Sequence, residues 1–261
     1  PLILRTNDSW GYLRAARFNS RPGHADQLHL DLWWRGLNVA QDAGTYLYNA
    51  PPPWDNSLSQ TEVHNTITVE GQDQMTRAGR FLWLDWAQGE VLEHNSDGGR
   101  MSAQHDGYRR WGVLHQRAVE CREGRWIITD NLIPAGEVGS ASRARNSPLV
   151  LRLHWVLPDW PWAIEDLPAE TGTQMLIQSP YGWIKLRVKF IPKTGRADND
   201  HPHGAQLIRA GELVHGTGSA SAILGWVSHS YGYKEPALSL SIETESPLPV
   251  TIITQWDFPR K

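Results

Sequence analysis

The chain of 261 residues has a single cysteine, Cys121. One thiol cannot build an internal disulfide framework, so the fold has to rest on a packed core. Long apolar runs are also missing: none approaches the roughly 20 residues of a membrane-spanning helix, and no charged-then-apolar leader precedes Pro1. The chain opens on proline rather than methionine and reads as a fragment or a processed product. Charge of one sign is missing too. A formal net charge of −3 gives no whole-chain attraction to nucleic acid or to an anionic membrane, so an anionic polymer would have to be met by a local cluster. No stretch carries strong helical periodicity, no segment repeats, and no linker divides residues 1–261 into two domains. A phosphate-binding glycine loop, a nucleophile elbow and a cysteine-histidine cluster are likewise absent.

What is there suits an all-β protein. Fourteen tryptophans, 23 glycines and 17 prolines fit short strands joined by many turns. The aromatic excess fits stacking on sugar faces and fits an ordinary core equally well. Leu28, Leu30, Leu32 and Trp34 share one parity and His29, Asp31 and Trp33 the other, which predicts a half-buried strand followed by an Arg35-Gly36 turn and a return strand to Asp42. Residues 50–56, with three consecutive prolines and Trp54, predict an exposed excursion. Residues 80–86 predict a strand buried on both faces, and Arg122-Glu123-Gly124 a hairpin between residues 113–121 and 125–130. Continuing to residue 256 gives about fifteen strands: an antiparallel β-sandwich of two large sheets. Residues 134–147 and 193–204 read as loops, the second holding His201-Pro202-His203, whose histidines read as exposed.

Histidines and carboxylates of metal-ligand type lie early in the chain. Two imidazoles and one carboxylate can hold a zinc-like ion with a position left open. His24, Asp42 and His64 form no compact motif, however, and each can equally be a satisfied core or surface residue. In an ideal ladder around Arg35-Gly36, Asp42 falls opposite His29 and leaves His24 roughly 17 Å away at ~3.4 Å per residue. Coordination by His24 therefore requires the Pro22-Gly23 segment to bend back, and His29 is the rival ligand.

The ordered set His24-Ala25-Asp26, Leu28-His29-Leu30-Asp31-Leu32, Gly36, Asp42-Ala43-Gly44-Thr45-Tyr46 and His64-Asn65-Thr66-Ile67-Thr68-Val69-Glu70-Gly71 resembles the opening of the carboxyl-terminal β domain of heparinase II/III-like polysaccharide lyases, a family that includes alginate and oligoalginate lyases. His105-Asp106-Gly107-Tyr108, His115-Gln116-Arg117, Asp130-Asn131-Leu132, Leu153-His154-Trp155, Gly225-Trp226 and residues 230–237 are similar to later landmarks in the expected order, so the resemblance covers nearly the whole chain. It implies a β-sandwich behind an α/α toroid that is not in this sequence, an anionic polysaccharide as substrate, and a Zn2+ or other divalent ion on His24, Asp42 and His64. It also implies export to the periplasm or the cell exterior; the charge balance, for its part, predicts no nucleic-acid or membrane partner.

In such a lyase a base removes the C5 proton of a uronate, the neighbouring carboxylate is neutralised, and the C4 oxygen leaves with a proton. The resemblance places an asparagine or histidine neutraliser and a tyrosine in the toroid. A further histidine usually stands two positions before the first metal ligand, where this chain has Pro22. Within the chain, Tyr108 is the candidate proton donor, and Tyr46, Tyr48, Trp54, His105 and Arg109 the candidate substrate contacts. A core tyrosine and solvated arginines are the plain alternatives. Two other functions fit the same residues: a non-catalytic carbohydrate-binding or scaffold module, and a zinc hydrolase on a β scaffold.

Overall fold

In a computed structural model of the chain, residues 1–136, 147–166, 172–192 and 204–259 are described. They form twenty-one strands in five antiparallel sheets. The first four, β1 (Leu2–Arg5), β2 (Ser9–Leu13), β3 (Leu30–Trp34) and β4 (Leu37–Ala40), make one sheet in that order. Then come β5 (Ile67–Val69), β6 (Thr76–Gly79), β7 (Leu82–Leu84), β8 (Gly89–Asn95), β9 (Arg100–His105), β10 (Val113–Arg122) and β11 (Arg125–Pro134). These are followed by β12 (Leu149–Leu157), β13 (Trp162–Asp166), β14 (Gly172–Ser179), β15 (Gly182–Pro192), β16 (Ala205–Arg209) and β17 (Glu212–His215). The last are β18 (Trp226–Ser230), β19 (Tyr233–Pro236), β20 (Leu238–Ser246) and β21 (Val250–Asp257).

An eight-stranded sheet runs β13-β14-β15-β21-β11-β10-β9-β8, and a five-stranded one β17-β16-β20-β12-β5; β18-β19 and β6-β7 are isolated hairpins. One apolar cluster draws Leu4, Leu30 and Leu32 from the first sheet, Val119, Ile128 and Leu186 from the eight-stranded sheet, and Leu153, Leu207 and Leu240 from the five-stranded one. The eight-stranded sheet thus covers both others, a β-sandwich as expected. Trp126 and Trp155, both fully buried, join the layers. The Trp126 indole donates to Ser9 Oγ across the gap (3.0 Å), and Trp155 packs edge-on against Trp256. Each large side chain so buried contributes on the order of 1.5–3 kcal/mol.

Several expectations change. The strand count is higher because short hairpins such as β6-β7 and β16-β17 pair without clear alternation. Residues 80–86 are not buried on both faces: Trp83 points into the core while Leu82 and Leu84 stand 46% and 47% exposed. A two-stranded hairpin on the surface has only one covered face. The strand expected from Leu28 begins at Leu30, because Leu28 adopts φ 59°, a left-handed conformation that breaks the ladder. His201-Pro202-His203 and most of the 134–147 and 193–204 loops lie outside the described residues. Among the described residues, no helix is long and apolar enough to cross a membrane.

Candidate metal centre

The break at Leu28 decides the site. Residues 24–29 fold back as a turn in which His29 N–H donates to Asp26 O and Leu28 N–H to Arg14 O, while Ala25 N–H reaches Ser59 O. That returns His24 toward His64: their rings lie 5.3 Å apart, and His29 meets His64 edge-on at the same distance. The bend required of the Pro22-Gly23 segment is present. A register shift between Leu32 and Trp33 moves the end of the β3-β4 ladder, and Asp42 follows it. Its Oδ1 accepts the Gly44 N–H at 2.7 Å, leaving Oδ2 to face His29 Nε2 at 3.6 Å and His64 Nδ1 at 3.8 Å. Gly44 adopts φ 72°, and a Cβ on it would lie 2.0 Å from Ser228 O, so glycine is required where the Asp42 loop meets β18.

Two sets of ligand-type atoms lie within 4.8 Å of one another: His24, Asp26 and His64, and His29, Asp42 and His64. His64 is common to both. The expected trio His24, Asp42 and His64 is thus divided between the two sets, with His64 shared and neither set holding all three. The His64 side chain is completely buried, and neither of its nitrogens has a hydrogen-bond partner. Burial pulls its pKa down to about 4, against the opposing influence of Asp42 and Asp26, so the ring is neutral near pH 7 with a lone pair to offer. An orphaned buried imidazole costs stability unless something accepts that lone pair, and a divalent cation fits. Burial would raise the Asp42 pKa, but His29, His64 and the Gly44 N–H outweigh it and hold the carboxyl well below the usual carboxylate range. Its side chain keeps 38% exposure, which makes it the solvent-facing wall of the pocket.

Distance alone nominates His29 as a ligand; the tautomer argues otherwise. Asn65 N–H donates to His29 Nδ1 at 3.0 Å, so Nδ1 carries the lone pair and the neutral ring holds its proton on Nε2. That N–H points toward Asp42 Oδ2 from just beyond hydrogen-bond length, and Nε2 has no other partner. It is a donor aimed at the Asp42 carboxylate, an arrangement that would fix that carboxylate for coordination. Asp26 is likewise engaged, with Arg14 Nε 2.6 Å from its Oδ1.

Behind this pocket lies a buried network of His105, His115, Arg117 and Asp130. Gly107 N–H donates to His105 Nδ1 (3.1 Å), His105 Nε2 to His115 Nδ1 (3.2 Å), and His115 Nε2 to Asp130 Oδ1 (2.7 Å). Arg117 grips both Asp130 oxygens at 2.7 and 3.0 Å, and its Nη1 donates to the carbonyls of Leu28 and Asn65. The guanidinium thereby ties the turn before His29 to the segment after His64. Asn65 adds a second tie, donating from Nδ2 to the Leu30 and Gln41 carbonyls while Oδ1 accepts Val156 N–H. His154 supports from β12, its Nδ1 donating to His64 O.

The other site candidates divide. His105 is inside that network, 1% exposed, and Tyr108 is fully buried with its hydroxyl donating to Ile67 O at 2.8 Å. Neither faces solvent in this structure, and burial pushes the Tyr108 phenol well up. Arg109 is exposed on the wall of a separate groove of about 660 Å³ that also holds Arg17 and Glu90. Tyr46, Tyr48 and Trp54 do assemble. Tyr46 meets Trp54 edge-on at 5.3 Å, Trp54 meets Trp226, and the Lys234 ammonium lies over Trp54 and Trp226 at 4.3 and 2.9 Å. Tyr48, 40% exposed, contacts Tyr231 and Phe81. Pro22 is buried and brings no titratable group to the pocket.

Comparison with known proteins matches this architecture. A family described as heparinase II/III-like, C-terminal, matches residues 3–255. Similar solved structures include heparinase III, the BT4657 gene product, with a TM-score of 0.66 and 15% identity over 97% of this chain and 34% of that one. Heparan sulfate lyase HepC from Pedobacter heparinus has a TM-score of 0.64 and 15% identity over 97% of this chain and 34% of that one. No curated protein sequence matches. At such identities the likeness is one of fold, and this chain spans about a third of the length of those lyases.

Proposed function

The chain belongs to the heparinase II/III-like C-terminal family, and from that premise we propose that it is the metal-holding β domain of a lyase that cleaves uronate-containing polysaccharide by β-elimination. The observation that carries the proposal is the His64 imidazole, sealed from water with both nitrogens unpartnered, between a carboxylate and two further histidines. Asp42 and His64 would hold the ion, zinc by the balance of nitrogen and oxygen donors, with His24 closing from the neighbouring set to complete the coordination and His29 orienting Asp42. A bound cation would supply positive charge at this pocket and tie together the segments that carry His24, Asp42 and His64.

The chain's own residues do the rest. Arg117 and Asn65 fix the two segments from which the ligands project. Gly44 positions the Asp42 carboxylate through its N–H. Tyr46, Trp54 and Trp226 build an aromatic wall beginning four residues beyond Asp42, and Tyr48 with Tyr231 extends it to solvent, where flat rings can stack on sugar faces. The proton-transfer groups would come from a preceding α/α toroid. Exposed Tyr48, Phe81, Leu82, Leu84 and Tyr231 on this side form an apolar surface suited to such a neighbour. With Pro22 in place of a histidine and Tyr108 sequestered, the isolated chain would be inactive or nearly so. Substrate and function together imply export from the cell.

The test is elimination by the full-length protein on heparan sulfate, alginate and a neutral glucan, followed as the ultraviolet absorbance of unsaturated uronate. Activity on a uronate polymer that falls in a His64→Ala variant supports the proposal. Hydrolytic products without that absorbance would favour a zinc hydrolase, and metal-independent binding without cleavage would favour a non-catalytic module.

A further inference from the structure

A groove of about 900 Å³ opens near the Arg35-Gly36 end of β3, and the function proposed above makes no use of it. Its walls carry Arg35, Arg122, Arg125, Lys185 and Arg187 against three carboxylates, Asp8, Glu123 and Asp257. That surplus of two positive charges sits on a chain whose overall charge is −3. The arrangement follows from strand register. Lys185 of β15 lies directly opposite Asp257 of β21, and Asp257 opposite Arg125 of β11, so cation, anion and cation form one row across the outer face of the sheet.

Asp257 is oversubscribed, with Arg125 Nε at 2.6 Å and Arg187 Nη1 at 3.5 Å on its two oxygens. Among the described residues, the Lys185 ammonium has no ion-pair or hydrogen-bond partner. On the same outward face of β15, two residues before Lys185, Trp183 stands 45% exposed on the cavity wall. At the rim, Tyr181 is 50% exposed, and the Arg35 guanidinium lies 5.4 Å from its ring.

We infer that this groove is a second polysaccharide-binding site, one that takes a segment of anionic chain outside the reaction centre, with Lys185 and the neighbouring arginines meeting carboxylate or sulfate groups and Trp183 stacking on a pyranose face. Guanidinium forks match such planar or tetrahedral anions, and the exposed indole supplies the apolar surface that bare charge lacks. The inference rests on the proposed function for its polymer class. A mobile chain gripped at two places is held by both at once, which raises retention without altering the chemistry of either.

Binding of a heparin octasaccharide to the purified chain, measured by calorimetry, tests the inference, with maltooctaose and a single-stranded DNA dodecamer as comparisons. Chelator is present throughout, so that the metal pocket does not contribute. Wild type is expected to bind the octasaccharide, and Lys185→Glu and Trp183→Ala each to weaken it by about tenfold or more, the scale of one charge-assisted contact. Both are exposed positions, and an unchanged melting temperature shows that the variants fold. Equal binding by both variants, equal binding of the neutral sugar, or tighter binding of the DNA would overturn the inference. Elimination of a short oligosaccharide by the full-length Lys185→Glu protein is expected to be unchanged. Loss of elimination in His64→Ala with octasaccharide binding intact separates this groove from the metal pocket.

Discussion

Two substitutions at His29 separate an orienting role from a ligand role. Asparagine retains an acceptor near the position of Nδ1 and can still receive the Asn65 N–H, but it has no donor that reaches Asp42. Glutamine does the reverse, placing an amide N–H near the position of Nε2 and leaving the Asn65 N–H unmet. If His29 orients the carboxylate, His29→Asn weakens zinc binding by about 10–100-fold, equivalent to roughly 1.4–2.7 kcal/mol, with little change in stability. His29→Gln keeps affinity within a few fold but loses about 1–3 kcal/mol of stability from the orphaned buried donor. Chelator competition gives the affinities, and guanidinium unfolding of the metal-free chain gives the stabilities. If both variants lose as much affinity as His24→Ala, His29 is a ligand and the tautomer argument fails. If neither variant differs from wild type, His29 has no part in the site.

Other expectations follow from the same geometry. Arg117→Leu strands the Asp130 carboxylate and two backbone carbonyls in the core and should cost on the order of 3–5 kcal/mol in urea unfolding, whereas Arg117→Leu with Asp130→Leu should recover part of that loss. Gly44→Ala cannot be accommodated without moving Ser228, so its melting temperature and its zinc affinity should fall together. Because burial lowers the His64 pKa to about 4, the unfolded chain binds more protons than the folded one between about pH 4 and 6.5. Stability of the metal-free chain therefore declines as pH falls through that window, by about 2 kcal/mol between pH 7 and 5 from this group alone. A flat profile would show that His64 is not sealed.

Much of the fold could be read from alternation. The hairpin at Glu123-Gly124, the parity of Leu30, Leu32 and Trp34, and the paucity of helix led directly to a sandwich. The hairpin also contained an unread signal: it sets Arg117 opposite Asp130, both on the inward parity of Val119 and Ile128, and two such charges facing a core must pair. The site was less legible because it depends on two local departures from regular strand, the left-handed Leu28 and the shifted register beside Trp33. Neither has a propensity signature, since leucine is a poor left-handed residue and a bulge costs only one extra position. A straight ladder leaves His24 far from Asp42, and only the fold-back brings both to His64. Tyr108 and His105 look like reactive groups in sequence, but their polar atoms are satisfied inside the protein by Ile67 O, Gly107 N–H and His115.

The function proposed for this domain depends on a cation at His64. Metal content of the chain, purified without added metal and measured by plasma mass spectrometry, should approach one zinc per chain in wild type and fall to near background in His24→Ala and His64→Ala variants that remain folded. A metal-free wild type that also takes up no zinc on titration, or variants that retain the full content, would contradict it.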